Sequence, residues 1–160
     1  MNLIERLEEG GLFVAVAESV TGGLICAKLI GTPGASKVVL GGIVAYQNDV
    51  KQNLLGVPKE LLERAGSVDS EVAIIMAASV REQFALANSK SASFVIGLSS
   101  TGVAGPDSVG GRKVGEVLIG FSSAMGEGHR AFNFQGDRAQ IRSQALDAAL
   151  LVLREHLEEF

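Results

Sequence analysis

The sequence predicts a three-layer α/β/α sandwich on a mixed, mainly parallel sheet of about five strands, and three observations carry that expectation. Two apolar runs, Phe13-Val14-Ala15-Val16-Ala17 and Phe94-Val95-Ile96-Gly97-Leu98, lack polar alternation. They therefore fit strands buried on both faces, as in parallel sheets covered by helices. Segments with helical spacing separate and follow these runs, and a hairpin pattern near residue 125 adds antiparallel strands. At 160 residues and 47% hydrophobic content, the chain can bury a core as one domain over residues 1–160 without disulfides or metal.

Leu3, Ile4 and Leu7 are spaced for a short amphipathic helix that Gly10-Gly11 stops before the first strand. Beyond that strand, Leu24, Ala27, Lys28 and Ile30 have helical spacing, and Gly31-Thr32-Pro33-Gly34 forms a turn. Val38 to Ala45 reads as a second strand interrupted by glycine, closed by Tyr46-Gln47-Asn48. Asp49 to Leu55 and the segment opened by Pro58 fit short helices. Asp69 or Ser70 caps a longer helix whose buried stripe is Val72, Ile75, Met76, Ser79, Val80 and Phe84. The third strand ends at Leu98, where Ser99 to Asp107 reads as a polar, glycine-rich break, and Ser108 to Lys113 reads as a mobile loop able to close over a ligand. Gly115–Ser123 and His129–Phe134 pair antiparallel across a Met125-Gly126-Glu127-Gly128 turn, with His129 facing solvent. A capping pattern at Asp137 and Gln140 opens a last helix to about Leu157, with Ile141, Ala145, Ala149, Val152 and Leu153 inward and His156 at its negative end.

Composition narrows the function classes. A net charge of -4, no tryptophan and 5% aromatics argue against a nucleic-acid partner. The single cysteine, Cys26, suits core packing in a reducing cytosol, and the acidic N-terminus is neither a signal peptide nor a membrane span. A cytoplasmic location and no membrane partner are expected. The apolar content makes self-association into a homo-oligomer a further expectation.

Chemistry concentrates at Phe13 to Gly23, read as strand, tight turn, helix. Glycines 22 and 23 let the backbone turn sharply, and the following helix start offers amide hydrogens to an anion or a developing oxyanion, with Ser19 at its edge. Ser19 and Thr21 acting only as helix caps is the competing reading. Glu18, at the mouth of a buried strand, needs partners to offset its desolvation. The histidines are too far apart in sequence, and too poor in nearby Cys or carboxylate, for a metal site. A hydroxyl activated by lysine remains, and Lys51, which follows Tyr46 and Asn48, is the candidate base. Arg138 and Arg142 share one face at the start of the last helix, where cations oppose the dipole; an anion between them or a surface carboxylate would offset that.

AESVTGG at Ala17–Gly23, YQND before Lys51, STGVAGPD at Ser100–Asp107, KVGEV at Lys113–Val117 and GDR at Gly136–Arg138 together resemble the CinA C-terminal domain family, in the family's order and across nearly the whole chain. That resemblance implies an α/β/α fold and nicotinamide-nucleotide amidohydrolase activity, converting nicotinamide mononucleotide and water into nicotinate mononucleotide and ammonia without a cofactor. It implies Ser19 as nucleophile, Lys51 as general base and Tyr46 as proton relay or lysine orienter. The amides of Thr21, Gly22 and Gly23 would then meet the oxyanion. It marks the Thr101-Gly102 turn and Arg138 for hydroxyl and phosphate contacts; geometry alone adds Arg142. Glu18 either binds a ribose hydroxyl or braces the turn, with bracing favoured. Val20 stands where the family often has Cys, and the amino-terminal domain fused to many relatives is missing, which implies a stand-alone form. A catalytically silent nucleotide-binding module is the alternative, and retention of Ser19, Tyr46 and Lys51 together favours the enzyme. A peptide amidase of the Ser-x-x-Lys kind is disfavoured, because no lysine follows Ser19 at that spacing.

Overall fold

β1 (Phe13–Glu18) lies inside the sheet with parallel neighbours on both sides, β2 (Val39–Val44) and β3 (Val95–Gly102), and all but its first residue is buried. β4 (Glu116–Ser123) runs antiparallel to β3, and β5 (Gly126–Asn133) antiparallel to β4. The order β2-β1-β3-β4-β5 therefore has only β4 running against the rest, the mixed and mainly parallel sheet expected. The computed structural model describes residues 1–160.

Strand alternation assigns the two faces. Val14 and Val16 of β1, Ile96 and Leu98 of β3, and Val117 and Ile119 of β4 point to a core shared with α1 (Leu3–Glu9), α2 (Leu24–Ile30) and α6 (Arg138–His156). Ala15 and Ala17 point the other way, under α3 (Asn48–Leu55), α4 (Lys59–Ala65) and α5 (Ser70–Ala87). Asp69 caps α5, and the Asp137/Gln140 capping box of α6 is complete. No helix is long and apolar enough to cross a membrane.

Three expectations change. On α5, Ala73 and Ala77 join Val72, Met76 and Val80 in the core, whereas Ile75, Ser79 and Phe84 are only half-buried. The cause is close approach: a Cβ on Gly97 would run into the Ala77 carbonyl oxygen, and one on Gly120 into that of Ala73, so the helix backbone lies almost on the sheet. β3 does not break at Leu98 but continues through Gly102, because β4 pairs with its last residues and each hydroxyl finds a partner. Finally, the hairpin turns at Ala124-Met125, and the predicted turn residues Gly126, Glu127 and Gly128 already belong to β5. His129 is exposed, as expected.

Gly97→Ala and Gly120→Ala should each lower the unfolding free energy by about 2 kcal/mol or more, since neither backbone can yield without lifting α5. Urea unfolding at unchanged m-value reads the loss as a lower midpoint.

Candidate active site

The switch in strand order around β1 places a crevice at the carboxyl ends of β1 and β3, and the chain leaves β1 there through Ser19. Glu18, the last residue of β1, is 1% exposed and accepts four hydrogen bonds. Its Oε2 takes the Thr21 hydroxyl at 2.6 Å and the Gly23 and Ile25 amides at 2.9 and 3.1 Å; Oε1 takes the Cys26 amide at 2.8 Å. Positive φ at Gly22 (59°) and Gly23 (102°) folds the start of α2 back onto this carboxylate. Glu18 thus braces the turn and caps α2, a job that neither Ser19 nor Thr21 performs. The Ser100 hydroxyl, 2.6 Å away, completes the network by donating to Thr21 Oγ1, whose own proton goes to Glu18.

Of the three amides expected to face an anion, those of Gly22 and Gly23 are taken and that of Thr21 is left. The helix end is filled by Glu18, the Gly23 amide is bonded to it, and the Gly22 amide closes the turn onto the Ser19 carbonyl at 3.1 Å. The amides of Val20 and Thr21 are the ones in the turn without an acceptor.

Opposite Ser19, β2 delivers Ala45 and Tyr46, and α3 returns Lys51 to them. Lys51 is 1% exposed, and its Nζ lies 3.0 Å from Ser19 Oγ, 2.8 Å from the Ala45 carbonyl and 3.0 Å from the Tyr46 carbonyl. No carboxylate pairs with it, and burial lowers its pKa from 10.5 to about 8. A neutral amine here would give its two hydrogens to the carbonyls and turn its lone pair to the Ser19 hydroxyl. Ser19 itself is 7% exposed, at the floor of the crevice.

The remaining predicted residues divide. Tyr46 orients Lys51 with its carbonyl, whereas its phenol is exposed and accepts from Arg138 Nη2 at 3.1 Å. Arg138 also donates to the Gly105 carbonyl at 2.8 Å, and Tyr46, Arg138, Val20, Gly102 and Asp107 line one cleft of about 90 Å³. Thr101 is not in a turn: it lies buried in β3, and its hydroxyl proton is given to the Ser67 carbonyl at 2.7 Å. Gly102 has no room for a side chain, since a Cβ would stand 2.7 Å from Val117. Arg142 donates to the carbonyls of Val20 and Thr21. Ser100 and the Ala45 carbonyl escaped sequence reasoning, the first because it read as loop and the second because a backbone acceptor leaves no residue signature.

Two other features are structural. His156 is not free at the helix end but 5% exposed, with Nε2 at 2.6 Å from Ser123 Oγ and Nδ1 at 3.1 Å from Glu159; burial lowers its pKa despite Glu159. Ser123 also accepts the Met125 amide and lies at the other end of the sheet from Ser19, so this chain fastens the C-terminus to the hairpin. The Cys26 thiol is held protonated by burial and then by the Glu18 charge. A hollow of about 560 Å³ at Ile30 to Val39 has no ionisable lining.

Glu18→Gln keeps the shape but turns an NH2 group on amides that need an acceptor, so a loss of about 2–3 kcal/mol is expected. Thermal unfolding should show Glu18→Ala at least as destabilised.

Against this geometry stand the comparisons with known proteins. The CinA C-terminal domain family matches residues 1–157. A protein of Desulforamulus reducens described as competence-damage inducible is 44% identical over 154 residues, covering 96% of this chain and 36% of its own length. The chain thus spans about a third of the length of the curated relatives it matches. Among solved structures, the competence or damage-inducible protein of Enterobacter asburiae superposes with a TM-score of 0.87 at 29% identity, covering 97% of this chain and 93% of that one. CihA of Agrobacterium tumefaciens gives 0.82 at 31%, covering 98% and 95%. With the profile match running through all the strands and both ends of the crevice, the chain belongs to the CinA C-terminal domain family.

Proposed function

We propose that this domain, residues 1–160, hydrolyses the carboxamide of nicotinamide mononucleotide to nicotinate mononucleotide and ammonia, with Ser19 as nucleophile and Lys51 as general base. The observation that carries the reading is the buried amine of Lys51 at 3.0 Å from Ser19 Oγ, held by two carbonyls and by no acid. A structural lysine gains from a carboxylate partner; this one is desolvated instead, which lowers its pKa into a range useful to a base.

In the first half-reaction neutral Lys51 takes the Ser19 proton as Oγ attacks the carboxamide carbon. Negative charge then builds on the amide oxygen, and the amides of Val20 and Thr21, which follow the nucleophile and have no acceptor within the protein, are the donors assigned to it. Protonated Lys51 returns the proton to the leaving nitrogen, ammonia departs and an acyl-serine remains. Water, deprotonated by the same amine, cleaves that ester to the carboxylate and frees Ser19. Arg138 stands at the cleft mouth with guanidinium hydrogens beyond those used by Tyr46 and Gly105, and it receives the 5′-phosphate. Tyr46 sets the lysine through its carbonyl and the arginine through its phenol.

Ammonia release from nicotinamide mononucleotide tests the reading. Ser19→Ala should fall by about 10³-fold or more and Lys51→Ala by about 10²- to 10⁴-fold, with both variants folded. Activity that survives loss of the serine hydroxyl would sink the covalent route. Because the base form of Lys51 is required, kcat/KM should rise about tenfold per pH unit below its pKa of about 8 and level off above it. A flat profile between pH 6 and about 8 would remove the lysine from the role of base.

A further inference from the structure

Arg142 carries a positive charge on the first turns of α6, has no carboxylate partner, and turns its guanidinium onto backbone carbonyls. Its Nε donates to the Val20 carbonyl at 3.0 Å and its Nη2 to the Thr21 carbonyl at 2.9 Å. Both carbonyls belong to the turn that carries Ser19. We propose that Arg142 is a positioning residue, a clamp that holds the nucleophile turn from its α6 side and so sets the Ser19 hydroxyl and the Val20 amide; the inference rests on the Ser19–Lys51 reading above.

The peptide group supplies the argument. Carbonyl and N–H of one planar trans peptide point in opposite directions, so fixing the oxygen fixes the hydrogen. The peptide between Ser19 and Val20 is pinned because its oxygen accepts the Gly22 amide at 3.1 Å. The next one, between Val20 and Thr21, is pinned by Arg142 Nε. Arg142 Nη2 pins the peptide between Thr21 and Gly22, whose N–H is the one that holds the Ser19 carbonyl, so the clamp fixes the Thr21 N–H directly and the Val20 N–H through the Gly22 amide. Without the clamp, the second plane would be anchored only through a turn that contains two glycines at positive φ, the least restrained residues available.

The fork is the right tool. Guanidinium presents two donors at a fixed separation, which suits adjacent carbonyls, whereas an ammonium satisfies them one at a time. Space is tight as well: a Cβ on Gly22 would stand 3.2 Å from Nη2, so the glycine serves both the turn and the approach of the arginine. Charge on the carbonyl side of the Val20–Thr21 peptide also polarises it, which strengthens as a donor the Thr21 N–H, the other amide of the turn without an acceptor.

The experiment compares wild type, Arg142→Gln and Arg142→Lys in ammonia release and in the rate at which a fluorophosphonate probe labels Ser19. Labelling reports the nucleophile and its oxyanion donor without needing the nucleotide. For the clamp, Arg142→Gln should lose about 10- to 100-fold in kcat and in labelling rate, with KM changed less than about twofold and Arg142→Lys in between. Arg142→Lys at wild-type melting temperature carries the test if the glutamine variant does not fold. A raised KM with kcat and labelling intact would overturn the clamp and make Arg142 a phosphate contact. Variants labelled at the wild-type rate overturn the clamp alone, whereas a wild type that is neither labelled nor active removes the serine nucleophile beneath it.

Discussion

Two opposite charges are buried around Ser19, Glu18 beside it in the chain and Lys51 beside it in space, and the site depends on their being kept apart. Glu18 and Lys51 are each 1% exposed, and neither pairs with the other. Isolated, each would cost several kcal/mol to bury. Glu18 is satisfied by three backbone amides and a hydroxyl, Lys51 by two backbone carbonyls and a hydroxyl. A direct ion pair would be the simpler way to bury them. It would also stabilise the ammonium and raise its pKa, leaving no base next to the serine. Backbone dipoles answer each charge separately, and Lys51 stays depressed by burial alone.

That solution needs the fold. Free amides gather at a helix start and free carbonyls at a helix or strand end; here the carboxylate faces the start of α2 and the amine faces the carbonyls just past β2. The parallel trio β2-β1-β3 places both at one edge of the sheet, with Ser19 between them at the end of β1. Ser100, the β3 neighbour of Glu18, adds its hydroxyl from the other side. Gly97 and Gly120 contribute at a distance: by letting α5 lie on β3 and β4 they keep the polar end of β3 dry.

Local patterns in the sequence made most of this architecture legible. Apolar runs marked β1 and the first half of β3, caps marked α5 and α6, and the glycine pair after Ser19 marked the turn. What stayed hidden depended on partners remote in the chain. Ser99-Ser100-Thr101-Gly102 reads as loop because three hydroxyls in a row look solvated, yet each is matched by a group supplied from elsewhere: the Ala73 carbonyl, the Thr21 hydroxyl and the Ser67 carbonyl. The hairpin slipped for a related reason, since glycines that look like a turn can also sit in an edge strand over an aromatic ring, as Gly128 does over Phe121. At the site, Ser19, Lys51 and the bracing role of Glu18 were readable from residue type and position. The contacts of Tyr46, Thr101 and Arg142 were not, because each involves backbone carbonyls that no residue letter records.

The same distinction explains why the free amides are Val20 and Thr21 rather than the glycines. A helix start after a glycine pair invites an external anion only if nothing inside the protein claims it. Here Glu18 stands immediately before Ser19, and its carboxylate reaches Gly23, Ile25 and Cys26 first. Once that end is occupied, the turn has its donors left on the residues between Ser19 and Gly22, and Arg142 holds their carbonyls on the opposite side. An acidic residue ahead of the serine and a basic residue behind the turn thus divide its backbone between them: the first takes the amides of the helix start, and the second takes the carbonyls of Val20 and Thr21, leaving the amides of those two residues without a partner.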